Sequence, residues 1–109
     1  MVDGLWTAEF GSSTGVFGGG VAVFRDGKIL GGDATYYYVG DYLVSGKEFK
    51  ATLRVSPYME GAQSVFGTVG KSLTLELEGS FVDERQLIAK GRAREVPTAN
   101  FGAKLVKRT

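Results

Sequence analysis

The sequence from Lys47 to Val55, KEFKATLRV, places an apolar residue at every second position. The apolar members are Phe49, Ala51, Leu53 and Val55, and charged or hydroxyl-bearing residues lie between them. The same alternation returns at residues 73–77, LTLEL. Because successive side chains of a strand point to opposite faces, this pattern predicts strands with one buried face and one solvent-exposed face. Such strands are typical of antiparallel sheets, since buried parallel strands are apolar throughout.

Turn residues divide the rest of the chain into further strands. The sequence has 17 glycines and 2 prolines, and Asp26-Gly27 between two apolar runs is its strongest hairpin signal. No helical period of adequate length occurs, and the best helix candidate, Met59 to Phe66, is weakened by Gly61 and the flanking Pro57. The pattern predicts eight or nine strands: Leu5 to Phe10, Phe17 to Arg25, Lys28 to Gly31, Thr35 to Val44, Lys47 to Ser56, Ser64 to Gly67, Leu73 to Val82, Gln86 to Arg94 and Gly102 to Lys107.

Short hairpins between consecutive strands predict an all-β, antiparallel up-and-down β-barrel of about eight strands, formed by residues 1–109 as one domain. Closure removes the two exposed edges that an open meander would have, and an open sandwich is the competing architecture. Gly4-Leu5-Trp6 resembles the Gly-x-Trp opening of lipocalin-type barrels. That resemblance implies that Trp6 plugs the closed end and that an arginine of a late strand, Arg92 or Arg94, covers the indole.

The amino-acid composition limits the classes of function that we expect. Net charge is +1, with 13 basic and 12 acidic residues, which argues against direct binding of nucleic acid. Histidine and cysteine are absent, so the usual general base and the usual ligands of zinc are missing. We therefore expect no enzymatic activity, no catalytic residue, no metal site and no cofactor. The absence of cysteine, of a signal peptide and of a membrane-spanning run predicts a cytoplasmic location with no membrane association.

The aromatic run Tyr36-Tyr37-Tyr38 lies on one predicted strand, so Tyr36 and Tyr38 share a face and Tyr37 takes the other. Outward tyrosines are enriched at protein interfaces, which makes Tyr37 a candidate for partner binding. Alternation also predicts the lining of the barrel interior, where an apolar ligand would bind. The predicted ligand-binding residues are Trp6, Phe10, Tyr36, Tyr38, Phe49, Leu53, Leu75 and Leu77.

A more specific resemblance lies at residues 26–33, DGKILGGD, followed by Tyr38 and Gly40. With Asp3-Gly4, Phe10 and Gly20-Val21 upstream, this segment resembles the GrlR family, negative regulators of type III secretion gene expression. The resemblance covers about the first forty residues. It implies a lipocalin-like barrel that forms a homodimer and binds a transcriptional activator protein rather than DNA. An acidic surface run contributes to that contact in the family, and the corresponding stretch here, Ser45-Gly46-Lys47-Glu48, keeps one acid and gains a base.

Two functional hypotheses follow. The first is a cytosolic, non-enzymatic regulatory protein that acts by protein–protein binding, with Tyr37, Lys47 and Glu48 as candidate contact residues. The second is a carrier or sensor of a small, apolar, lipid-like ligand held in the barrel interior. An enzyme is the weakest hypothesis, because acid–base chemistry would depend on unpaired carboxylates, lysine or tyrosine.

Overall fold

The computed structural model describes residues 2–109, which form a closed barrel of eight antiparallel strands in consecutive order. This confirms the predicted fold class and excludes the open sandwich. The strands are β1 (Gly4–Ser12), β2 (Phe17–Arg25), β3 (Lys28–Gly32), β4 (Tyr36–Ser45), β5 (Glu48–Pro57), β6 (Leu73–Asp83), β7 (Gln86–Ala93) and β8 (Phe101–Lys107). Closure comes from β1 pairing with β8, from Trp6 opposite Lys107 to Ser12 opposite Phe101.

The hairpins divide the barrel into two unlike ends. The lower end carries three tight turns, at residues 26–27, 46–47 and 84–85, whereas the upper end carries the longer loops 13–16, 33–35, 58–72 and 94–100. Asp26 and Gly27 both have positive φ, 49° and 80°, as a type I′ hairpin turn requires. The strongest hairpin signal of the sequence therefore forms the expected turn.

The predicted strand from Ser64 to Gly67 is wrong, because this segment forms a turn within the loop 58–72. The Ser64 hydroxyl accepts hydrogen bonds from the backbone N–H groups of Phe66 (3.1 Å) and Thr68 (3.3 Å). Gly67 has a φ of 84° and donates to the Ser64 carbonyl. These local bonds satisfy the backbone without a strand partner. The helix candidate at Met59 to Phe66 does not form a helix either.

Buried side chains fill the barrel from inside, and they come from every strand. The alternation of β5 is observed directly, since Phe49, Ala51 and Leu53 are buried while Lys50 and Thr52 are exposed. Burial of these apolar side chains supplies the main favourable term for folding.

Candidate functional site

An aromatic layer closes the lower end of the barrel. Trp6 is fully buried, stacks on Phe24 with ring centroids 5.3 Å apart, and meets the edge of Phe81 at 6.1 Å. Phe49 stacks on Phe24 at 5.9 Å, and Tyr42 lies 5.2 Å from the same ring. The indole N–H donates to the Val2 carbonyl at 2.9 Å, so its polar atom is satisfied. This end of the barrel is therefore packed solid by side chains carried on strands.

The arginine expected over Trp6 is not there. Trp6 pairs with Lys107 at the last residue of β8, whereas Gly91, next to Arg92, pairs with Phe101 at its first residue. Arg92 and Arg94 therefore lie toward the opposite end of the barrel. Arg94 forms an exposed ion pair with Glu76 at 3.1 Å. The prediction is wrong because a three-residue resemblance at the start of the chain does not determine at which end of the barrel an arginine of a late strand lies.

Above the aromatic layer lies an apolar cavity of about 290 Å³. Seven of the eight predicted ligand-binding residues line it: Phe10, Tyr36, Tyr38, Phe49, Leu53, Leu75 and Leu77. The eighth, Trp6, stacks on Phe24 in the aromatic layer and does not line the cavity. The volume falls just below the usual range for small-molecule sites, roughly 300–1,000 Å³. Whether these residues bind a ligand stays a prediction.

The long loop 58–72 covers the cavity at the upper end. Phe66 points inward from this loop and stacks on Phe101 at 5.7 Å, and Phe101 stacks on Phe10 at 5.8 Å. Several hydrogen bonds attach the loop to the neighbouring wall: Ser12 and Thr14 donate to the Val65 carbonyl, and Tyr36 donates to the Ala62 carbonyl at 3.2 Å. We call residues 58–72 the lid. Sequence alone does not reveal the lid, because its aromatic contact depends on where a turn folds.

A polar cluster lies at the rim of the cavity around Asp33. One carboxylate oxygen accepts hydrogen bonds from the backbone N–H groups of Thr35 and Tyr36, both at 2.9 Å, and the other accepts from the Tyr38 hydroxyl. Tyr58 donates to the Asp33 carbonyl at 2.6 Å. Burial raises the pKa of the Tyr38 hydroxyl above its usual value, and the bond to Asp33 raises it further. The Asp33 side chain thus forms the turn and places a carboxylate beside the cavity.

The barrel wall has a gap next to this cluster. Pairing of β2 with β3 stops at Val21 opposite Gly32, so residues Phe17–Gly20 pair with β1 alone. Phe17, Gly18 and Gly19 line the cavity from one side of the gap, and Asp33 to Thr35 line it from the other. The cavity therefore reaches the surface between β2 and the loop 33–35.

The outer wall has two contrasting faces. On β5, β6 and β7 the outward side chains are largely charged, with Lys50 opposite Glu78 and Glu78 opposite Lys90. On β2, β3 and β4 they are largely apolar: Val23 lies opposite Leu30, and Leu30 lies opposite Val39. We define the apolar face as Val21, Val23, Leu30, Tyr37 and Val39, each more than 40% exposed. At its lower border lies the ion pair of Lys28 and Asp41, 2.5 Å apart.

The three predicted partner-binding residues are not brought together. Tyr37 is 47% exposed and lies on the apolar face, opposite Gly32 of β3. Lys47 and Glu48 are exposed at the tight turn after β4, at the lower end of the barrel. Sequence reasoning missed the other four members of the apolar face. The uninterrupted apolar run from Val21 to Phe24 indicates an apolar outer face, because it lacks the polar residues typical of a solvent-exposed face.

Within residues 2–109 no three carboxylates are grouped so that they could hold a metal ion. No helix in this part of the chain has the length and apolarity needed to cross a membrane. The chain matches no model of a known protein family. No curated protein matches it significantly either.

Proposed function

We propose that this protein is a cytosolic, non-enzymatic regulatory protein that acts by binding another protein through the apolar face. The observation that carries the proposal is the contrast between the two outer faces. Large exposed apolar patches are rare on monomeric proteins and mark sites of protein interaction. A face with Leu30, Tyr37 and Val39 about half exposed and directly adjacent fits this description.

The resemblance of residues 26–33 to the GrlR family supports a regulatory role. On that resemblance the protein forms a homodimer, and the regulated partner is a transcriptional activator. The apolar face is consistent with a homodimer, since one exposed patch can pack against its own copy around a two-fold axis.

A matched pair of variants tests the apolar face. Leu30→Glu introduces a charge at its centre, whereas Ile88→Glu introduces the same charge at an outward position of β7, 46% exposed and beyond the apolar face. In sedimentation velocity across a concentration series, we expect the wild-type protein and Ile88→Glu to self-associate and Leu30→Glu to remain monomeric. The same three proteins serve as bait in the native cell extract, and a genuine partner is lost only with Leu30→Glu. A wild-type protein that stays monomeric and retains no Leu30-dependent partner contradicts the proposal.

A second candidate function is that of a carrier or sensor of a small apolar ligand. The specific observation in its favour is the apolar cavity, which lies between the aromatic layer and the lid and reaches the surface through a gap. A ligand held there would lie directly behind β3 and β4, whose other surface forms the apolar face. Native mass spectrometry of the protein with the neutral fluorescent compound N-phenyl-1-naphthylamine tests this candidate. A stoichiometric complex supports a carrier, and the bare protein mass at saturating compound opposes it.

A further inference from the structure

Among the described residues that line the cavity, the one charged side chain is that of Asp33, and the uncharged polar side chains of Gln63 and Ser64 line it from the lid. Its lining is apolar around most of its surface, and a carboxylate, Asp33, stands at the rim with the Tyr38 hydroxyl bonded to it. Among the described residues that line the cavity, none is lysine or arginine. Any ligand that fills it therefore meets a negative group and no compensating cation.

The hydrogen-bonding state of this rim determines which polar group a ligand can present. Tyr38 uses its proton on Asp33, and one oxygen of Asp33 is already engaged by two backbone N–H groups. The groups that remain available to a ligand are the acceptor lone pairs of the Tyr38 oxygen and of the Asp33 carboxylate. A ligand group that donates a hydrogen bond is satisfied at this rim. A ligand carboxylate finds no donor from these two side chains and is repelled by Asp33.

The gap beside the rim provides an entrance. Its β2 side consists of Phe17, Gly18 and Gly19, and the two glycines have no side chain that would narrow it. A Cβ atom at Gly20 would lie 2.8 Å from the Tyr38 hydroxyl oxygen and 2.8 Å from the Gly32 carbonyl oxygen. The glycine therefore allows β2 to approach the rim closely at the end of the gap.

We propose that the cavity binds a single-headed apolar molecule whose polar end is a hydrogen-bond donor without negative charge, an alcohol or an amine rather than a fatty acid. The inference rests on the carrier function offered above as the second candidate and names its ligand class. The head lies at Asp33 and Tyr38, next to the gap. The tail extends between Leu53, Leu75 and Leu77, toward the aromatic layer.

Competition against N-phenyl-1-naphthylamine fluorescence tests the ligand class. Decan-1-ol and decanoate have tails of equal length, and decanoate is ionised at about pH 8. We expect decan-1-ol to displace the fluorescent compound at a concentration about tenfold lower or more than decanoate, since an unpaired charge next to another is costly to bury. Equal displacement by the two would overturn the donor-head proposal and leave the carrier function standing. No binding of the fluorescent compound or of either decyl ligand would overturn both.

A variant pair shows whether Asp33 causes the preference. Asp33→Asn removes the charge but keeps an oxygen that can accept from Thr35 and Tyr36. Asp41→Asn removes a carboxylate from the outer surface of β4, beyond the cavity. The preference is measured as the ratio of the decanoate concentration to the decan-1-ol concentration that displaces the fluorescent compound. We expect this ratio to fall toward one in Asp33→Asn and to remain high in Asp41→Asn. Circular dichroism on both proteins verifies that the barrel is intact, and if Asp33→Asn fails to fold, Tyr38→Phe replaces it. Tyr38→Phe keeps the Asp33 charge and removes the hydroxyl that donates to it, so the preference for decan-1-ol should increase, whereas a lost preference in a folded variant contradicts the assignment.

Discussion

The two ends of this barrel are closed by similar aromatic side chains but in different ways. At the lower end Trp6, Phe24 and Phe49 come from strands and pack ring against ring. At the upper end the closing ring, Phe66, comes from the 15 residues of the lid between β5 and β6. Strands hold their side chains in register through backbone ladders, whereas the lid is attached by separate hydrogen bonds to the neighbouring wall. The lower end is therefore solid, and the upper end leaves a cavity of about 290 Å³.

Truncation of Trp6 tests the solid end and should have the largest effect. Trp6→Ala removes a fully buried ring, and aromatic-to-alanine changes in cores cost about 3–5 kcal/mol. Because the site is braced by strands on all sides, it cannot collapse to fill the space. Urea unfolding followed by far-ultraviolet circular dichroism measures the free energy of unfolding. A decrease of less than about 1 kcal/mol in the free energy of unfolding of Trp6→Ala would show that the lower end is not tightly packed.

The same truncation at the upper end should cost less. Phe66→Ala also removes a buried ring, but the lid can settle onto Phe101 and refill part of the space. We expect the free energy of unfolding to fall by about 3 kcal/mol or less, which is at or below the lower limit for aromatic-to-alanine changes in cores. Urea unfolding beside Trp6→Ala gives the difference directly. A loss equal to that of Trp6→Ala would mean that the lid is as rigid as the strands.

Close approach of strands can be tested at Gly79, in the lower half of β6. A Cβ atom there would lie 2.9 Å from the Cα of Ala89 and closer still to the Ile88 carbonyl oxygen. Gly79→Ala should therefore cost about 1–3 kcal/mol by overpacking. Gly102→Ala is the matched control, since an added Cβ at this β8 position meets nothing within 4 Å. Equal unfolding free energies for the two variants would contradict the tight approach of β6 and β7.

Alkaline pH probes the rim of the upper end. Burial and the bond to Asp33 raise the pKa of the Tyr38 hydroxyl above its usual value of about 10. The unfolded chain therefore releases this proton first, so the contribution of Tyr38 to stability is intact below about pH 10 and is lost as pH rises further. Tyr38→Phe should reduce the alkaline decline in the urea midpoint. Tyr37→Phe, which removes the hydroxyl of an outward ring on the adjacent residue, is the control.

The outer wall should contribute least, and its dependence on pH runs the other way. The Arg94 guanidinium, through its hydrogen bonds and its charge, lowers the pKa of the Glu76 carboxyl. The resulting stabilisation is present above the unfolded-state pKa of about 4.3 and is lost as pH falls through the lower folded-state value. Glu76→Gln should reduce the urea midpoint slightly at neutral pH and low salt, and high salt should remove the difference. Glu60→Gln, in the exposed part of the lid, is the control.

Much of the fold could be read from alternation and turns. The two-residue period at Phe49, Ala51 and Leu53 and the Asp26-Gly27 turn predict an antiparallel hairpin meander, and both are observed. The error at Ser64 to Gly67 has a local cause. Val65 and Phe66 are residues typical of strands, but the Ser64 hydroxyl accepts hydrogen bonds from the backbone of Phe66 and Thr68 and forms a turn.

The candidate sites were only partly predictable. Inward positions such as Tyr36 and Tyr38 follow from alternation, because the face of a strand residue depends on its parity alone. The Asp33–Tyr38 contact and the gap beside Gly20 do not, because they depend on where the pairing of β2 with β3 ends. The apolar face also requires the register of three strands before Val23, Leu30 and Val39 become neighbours.

By itself the amino-acid sequence determined that this chain forms antiparallel strands with one buried face, since side-chain parity and turn chemistry act over a few residues. Only the tertiary structure decided that the buried faces leave a cavity under the lid and that the carboxylate at its rim accepts a hydrogen bond from a tyrosine hydroxyl. It also decided that one outer face is left apolar. These features arise between residues far apart in the chain, whose distances are set by barrel closure and register and not by any local pattern.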